Sequence, residues 1–248
     1  ISVLSLANNH ALDFGQDAML ETIRRARAGG VRTVGAGRNA DEAYEPEIVE
    51  LRGMRIGFLS FSRVLPDRSW AAADDWPGVA SGYSPKRVLT AIDSLSGWVD
   101  AVVVLMHWGN EAQDTPLTAD RDLAEQMVRH GATAVVGHHP HVVQGLEWTH
   151  GSFIAYSLGN FLFPGSRRTD SGVLLLTLRK GSGVIAARFV PLRLAGGAPQ
   201  RVTAAEAGKA LQRLGAAVAP AGLSVASDGE ILARNGAARS EHGTGGTP

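Results

Sequence analysis

The chain has 248 residues, 44% hydrophobic and 19% charged, the profile of an ordinary globular protein with enough apolar residues for a sizeable core. Lys+Arg and Asp+Glu both number 24, which gives no electrostatic footing for a nucleic-acid partner or a charged membrane surface. Cysteine is absent, so disulfides, thiolate ligands and cysteine nucleophiles are excluded, and any metal must be held by nitrogen and oxygen donors.

Strands alternate with helices along the chain, the pattern of an α/β fold. Residues 1–7 read as a strand. A helix is expected over Gln16–Ala28, closed by Gly29-Gly30, and a short strand over Val31–Val34. Glu47–Leu51 and Arg55–Phe61 read as a hairpin turning at Gly53-Met54. Residues 62–84 read as a long loop. Ser84-Pro85 opens a helix to about Ser96, with proline at the first helical position. Asp100–Met106 is a buried strand, Thr118–His130 an amphipathic helix closed by Gly131, and Thr133–Val136 the next strand. Val142–Trp148, Ser152–Ser157, Gly172–Leu178 and Val184–Leu192 then read as consecutive strands of an antiparallel region, followed by a helix over Ala204–Leu214. From Arg234 the chain is small and polar, and disorder is expected. No signal peptide and no apolar run of about 18 residues is present, so no membrane span is expected in this chain. The first residue is Ile, already inside a strand pattern, which reads as a fragment lacking its N-terminal part.

Histidines cluster where apolar runs end. Leu4–Ala7 leads to Asn8-Asn9-His10, Val102–Met106 to His107, and Ala134–Gly137 to His138-His139-Pro140-His141. The carboxyl ends of buried strands open into the crevice where α/β folds bind ligands, and imidazole is the commonest neutral metal ligand. In an extended segment His139 and His141 point the same way, and Pro140 stiffens the pair, so both are expected as ligands. His138 should point away or support them from behind. His107 is either a satisfied core imidazole or a third ligand. Glu111 could ligate, orient His107 or simply begin a loop. Asn9 offers a neutral oxygen donor. His10 could ligate or serve as general acid, with Asp13 holding its ring. The competing reading has Asn8 or Asn9 capping the following helix and Asp13 facing its dipole. Asn160, after another strand, could reach the crevice or serve a turn.

Other features carry less. Gly35-Ala36-Gly37-Arg38 lacks the spacing of a dinucleotide fingerprint. His130 suits a helix C-terminus, His150 a turn, and His242 the tail. Ser60 and Ser62 have no triad order around them.

Four motifs taken together resemble the CapA family of poly-γ-glutamate capsule biosynthesis proteins, a branch of the calcineurin-like metallophosphoesterases. They are Asn8-Asn9-His10 with Asp13 and Gly15, His107-Trp108-Gly109 with Glu111, Gly137 with His139-Pro140-His141, and Ser157-Leu158-Gly159-Asn160-Phe161. They fall in order and cover about residues 1–163.

The resemblance implies an α/β fold, a metallophosphoesterase-like β-sandwich flanked by helices in α-β-β-α layers, with its first strand or strands missing here. It implies Asn9, His107, His139 and His141 as metal ligands and His10 as the histidine that assists the leaving group. Glu111, Asp13 and Asn160 match family positions. Family members normally carry an early Gly-Asp strand whose aspartate helps hold the metals, and no such segment precedes Ile1. Residues 1–200 are expected to form the family domain, 201–233 a C-terminal helix and extension, and 234–248 a disordered tail.

The activity implied is metal-dependent hydrolysis or transfer at a phosphoester or related bond, with divalent manganese, iron or zinc not distinguishable. The alternative is a non-hydrolytic accessory protein that binds or helps export an anionic cell-envelope polymer. Expected partners are that polymer or a phosphoester substrate and membrane-bound capsule synthesis proteins, with no nucleic acid. An extracytoplasmic, envelope location follows from the resemblance alone.

Overall fold

A computed structural model describes residues 1–149, 151–165 and 169–233. The tail from Arg234, together with His150 and His242, lies outside the described residues.

In chain order the elements are β1 (Val3–Ser5), α1 (Gly15–Ala28), β2 (Arg32–Val34), β3 (Ala36–Gly37), α2 (Ala40–Tyr44), β4 (Glu47–Leu51), β5 (Met54–Ser62), β6 (Gly78–Val79), α3 (Pro85–Ser96), β7 (Ala101–His107), α4 (Thr118–Arg129), β8 (Ala134–His138), β9 (Leu146–Thr149), β10 (Ser152–Ala155), β11 (Asp170–Arg179), β12 (Gly183–Ala195), β13 (Ala198–Arg201), α5 (Ala204–Val218), β14 (Leu223–Val225) and β15 (Glu230–Ala233).

The large sheet runs β4-β5-β7-β8-β10-β9. Its four inner strands are parallel, and β4 and β9 close the edges antiparallel. Parallel strands need crossovers, and α3 and α4 supply them. Val88, Ile92 and Leu95 of α3 and Leu123, Met127 and Val128 of α4 fall at helical spacing and bury against Leu59, Phe61, Val102, Val104 and Met106 of the sheet. Side chains alternate across a strand, so in β10 Ile154 joins this core while Phe153 and Ala155 face a second one. There they meet Val184, Ala187 and Phe189 of β12 and Leu211, Leu214 and Val218 of α5. The second sheet runs β11-β12-β15-β14, with β13 also paired to β12, and completes the sandwich. None of the described helices is long and apolar enough to cross a membrane.

Several expectations shift. The strand expected over residues 1–7 is shorter, β1 at Val3–Ser5, and it pairs in parallel with β2 in a two-stranded sheet. That sheet lies against β5, where the Ser5 and Ser60 hydroxyls meet at 2.6 Å, and the segment after β1 shares a third core with α1 through Leu6, Ala7, Met19 and Ile23. The β4–β5 turn falls on Arg52-Gly53, both at positive φ (50° and 78°), one residue earlier than expected. This follows from the favoured two-residue hairpin turn, which needs positive φ at both central positions. The 62–84 loop is not featureless: β6 within it pairs with β3, and Val79 and Ala80 are fully buried. The strand expected from Val142 begins only at Leu146. The antiparallel region is mixed, because β10 pairs in parallel with β8 as well as antiparallel with β9.

Candidate metal centre

The site grows out of strand register. β7 and β8 are parallel neighbours, and His107 is the direct partner of His138 at their carboxyl ends. Both stand on the sheet face opposite α3 and α4, because Val104, Met106 and Val135 at the alternate positions fill the helix-side core. Their rings meet edge-on with centroids 4.8 Å apart. Next in each chain comes a device that turns it back. Trp108 is buried beneath His107, donates its indole N–H to the Tyr156 carbonyl at 2.9 Å and stacks on the Tyr156 ring. Gly137 makes room for this: a Cβ there would lie 2.0 Å from the Tyr156 carbonyl oxygen and 2.3 Å from the indole nitrogen.

His139-Pro140-His141 corrects the extended reading. His139 has φ 106° and His141 φ 61°, so the segment is a bend and not a pleated run. The rings still converge, 5.9 Å apart, but through backbone in a disfavoured region. Such positions cost about 1–3 kcal/mol each and persist only where the surroundings over-determine them. Here Ala112 N–H donates to the Pro140 carbonyl at 2.8 Å, and the buried Gln144 amide donates to the Gln113 carbonyl at 2.7 Å. These bonds hold the loop carrying Glu111 against the bend. Donor atoms of Glu111, His139 and His141 lie within 4.8 Å of one another.

The remaining residues close the ring. The His139 and His107 rings are 4.6 Å apart. Asn9 Oδ1 lies 2.9 Å from His107 Nε2, so Asn9 faces the cluster and does not cap α1. Helix α1 begins after Phe14 without a side-chain cap, and Asn8 Oδ1 instead accepts from the His10 N–H at 2.8 Å. The capping reading of Asn8 and Asn9 is thereby replaced by a turn that aims Asn9 inward. His10 Nδ1 meets Asp13 Oδ2 at 2.9 Å, both side chains well exposed. His10 stands close enough to oppose protonation of His107 and His139. His141 Nδ1 donates to Asn160 Oδ1 at 2.6 Å, which leaves Nε2 with its lone pair. Asn160 is itself anchored, its carbonyl accepting from Ser171 Oγ. His138 packs beside His107 and not away from the cluster.

Electrostatics favour the neutral form of His107, His138 and His139. Burial, and then the neighbouring imidazoles, push His107 down to about 2. Burial and His139 push His138 down to about 4. Burial lowers His139 as well, against the pull of Glu111. Neutral imidazoles are the ligating form. His107 Nδ1 is also buried without a hydrogen-bond partner among the described residues. Neutral imidazole nitrogens beside an amide oxygen and the Glu111 carboxylate suit a divalent cation.

Residues 1–165 match the family described as "Bacterial capsule synthesis protein PGA_cap". The chain belongs to this PGA_cap family. Over 209 residues it is 35% identical to the capsule biosynthesis protein CapA of Bacillus anthracis, covering 82% of this chain and 50% of that protein. Over 186 residues it is 36% identical to the PGA biosynthesis protein CapA of Bacillus subtilis, covering 73% and 48%. The chain thus spans about half the length of the curated relatives it matches. PGA_cap proteins are associated with poly-γ-glutamate capsule synthesis. The fold is similar to that of the sulfate thiohydrolase SoxB of Thermus thermophilus, with a TM-score of 0.51 at 16% identity over 89% of this chain and 37% of that one. At that identity the likeness speaks to the fold alone, which is α/β and metallophosphoesterase-like.

The imidazoles stand out in the sequence; the groups that support them do not. Gln144, Trp108 with Tyr156, and the Arg63 backbone N–H that donates to the His107 carbonyl at 2.7 Å bear no chemistry of their own. A tryptophan directly after a strand-end histidine was the one signal available.

Proposed function

We propose that this chain carries a metal-dependent, phosphoesterase-like hydrolytic centre that serves capsule or poly-γ-glutamate synthesis at the cell envelope. The observation that carries the reading is the meeting of Asn9, His107, Glu111, His139 and His141 from segments scattered over the first two thirds of the chain. Asn9, His107, His139 and His141 would hold the ion, with Glu111 beside them. A divalent ion held there would supply Lewis-acid polarisation of the substrate and activation of a water.

The chain's own residues do the rest. Asp13 fixes the His10 ring through Nδ1, and in its imidazolium form His10 would hand the Nε2 proton to the leaving oxygen or nitrogen and be left as the neutral ring. Asn160 orients His141. The exposure of His10 and Asp13 supports this role, since a substrate would reach them from solvent. An anionic polymer or a phosphoester is the substrate class, and membrane-bound synthesis proteins are the partners this role calls for.

The test is metal analysis of the purified chain with turnover of bis(p-nitrophenyl) phosphate under manganese, iron and zinc. Stoichiometric metal and turnover, both lost in His139→Ala, are expected. No bound metal, or unchanged turnover in His139→Ala, overturns the reading. A second reading, a non-hydrolytic accessory protein using the same centre to bind polymer, is favoured by the names of the curated relatives, which speak of synthesis. Metal-dependent polymer binding without turnover of any ester would select it.

A further inference from the structure

A groove of about 520 Å³ opens beside His141 and leads away from the imidazole cluster to α5 and the second sheet. Its far part lies beyond residues 1–165 and so outside the segment that defines the family. Ala210, Arg213, Leu214 and Ala217 of α5 line it at i, i+3, i+4 and i+7, one face of the helix. Phe189 of β12 and Leu214 contribute apolar surface, and both belong to the second core. Among the described residues, the Asp and Arg side chains on its lining are Arg213, Asp170 and Asp114. An apolar lining with a few polar groups at a volume of several hundred Å³ is the form of a small-ligand site.

Arg213 Nη2 and Asp170 Oδ2 are paired at 2.7 Å, and both side chains are more than half exposed. Such a pair contributes little to stability, so a ligand can open it at low cost. Opened, it presents a bidentate donor for a carboxylate and, next to it, a carboxylate for a cation. Those two charges on one carbon are the head of an α-amino acid.

We propose that this groove is a subsite for a free α-amino-acid head, with Arg213 binding its carboxylate and Asp170 its ammonium group, while the attached acyl chain runs along the apolar lining to His141. The proposal rests on the reading of the His107–His141 cluster as the reactive centre, which would place the scissile bond a short way from a chain end. The amino terminus of a γ-linked glutamate chain and a single free amino acid share this head.

The experiment is calorimetric titration of the whole chain with γ-linked triglutamate, its N-acetylated form and free glutamate, alongside Arg213→Gln and Asp170→Asn. Both substitutions are expected to weaken triglutamate about tenfold or more, the loss of one charge-assisted contact. N-acetylation should weaken binding similarly and make it insensitive to Asp170→Asn. Triglutamate tighter than glutamate identifies a chain end; equal affinities identify a single amino acid. N-acetyl-triglutamate binding as well as triglutamate, tighter binding in Asp170→Asn, or no binding by the unaltered chain overturns the proposal. Metal uptake and its loss in His139→Ala, measured separately, report on the reactive centre, so either reading can fail alone.

Discussion

Asn9 and His107 are 98 positions apart in the chain, yet the Asn9 carboxamide oxygen accepts a hydrogen bond from His107 Nε2 at 2.9 Å. The ring is buried and its other nitrogen has no partner among the described residues. Asn9→Ala therefore leaves a buried imidazole with both nitrogens unpaired, at a cost of about 1–3 kcal/mol in the metal-free chain. Asn9→Ala combined with His107→Phe removes both polar partners and should regain most of that loss. Urea unfolding in the presence of a chelator measures both.

Asn160 sets which nitrogen of His141 faces the cluster. Removing such a support costs metal sites about 10–100-fold in affinity. Asn160→Ala should show a loss of that size in competition with a chromogenic chelator, while Asn160→Asp, which keeps an oxygen acceptor, should lose less. Equal affinity for both variants and the unaltered chain would remove Asn160 from the site.

The neutral imidazoles make stability depend on pH in one direction. Unfolded histidines titrate near 6.5, whereas burial holds His107 near 2 and His138 near 4 and lowers His139. Above pH 6.5 the rings are neutral in both states and pH has no leverage. Below it the unfolded chain takes up protons that the folded chain refuses, so stability falls as pH falls, down to about 4 for His138 and about 2 for His107. Each group adds a slope of about 1.4 kcal/mol per pH unit within its window. In metal-free protein the urea midpoint should drop between pH 6.5 and 5, and His138→Gln should flatten the slope by one group's share. An unchanged slope would contradict the assignment.

Gly137→Ala tests the knot beneath the site. The added methyl would sit on the Tyr156 carbonyl and the Trp108 indole, neither of which can move without breaking their mutual bond. A loss of about 3 kcal/mol or more is expected, at the upper end of overpacking costs. Thermal unfolding followed by tryptophan fluorescence reads it directly.

Much of this was legible in the residues. The runs leading to His107 and His138 are apolar and β-branched, which marks buried parallel strands, and an imidazole at such an end is conspicuous. The β4–β5 hairpin was legible as well, within one residue at its turn. What stayed hidden is what depends on distant neighbours. Nothing local to His139 and His141 shows that both adopt positive φ; bonds from Ala112 and Gln144 impose the bend. Nothing in β1 shows that its partner is β2. The groove along α5 is equally silent, because Arg213 and Asp170 are 43 positions apart and each alone is an ordinary surface charge.

The imidazole cluster draws on two separately laddered sheets: Asn9 follows β1, while His107 and His138 end strands of the large one. An ion gripped by both is a rivet between layers, and chelation would release the segment before α1 first. Limited proteolysis near the solvent-facing Phe14 would then track ion occupancy more closely than global unfolding does.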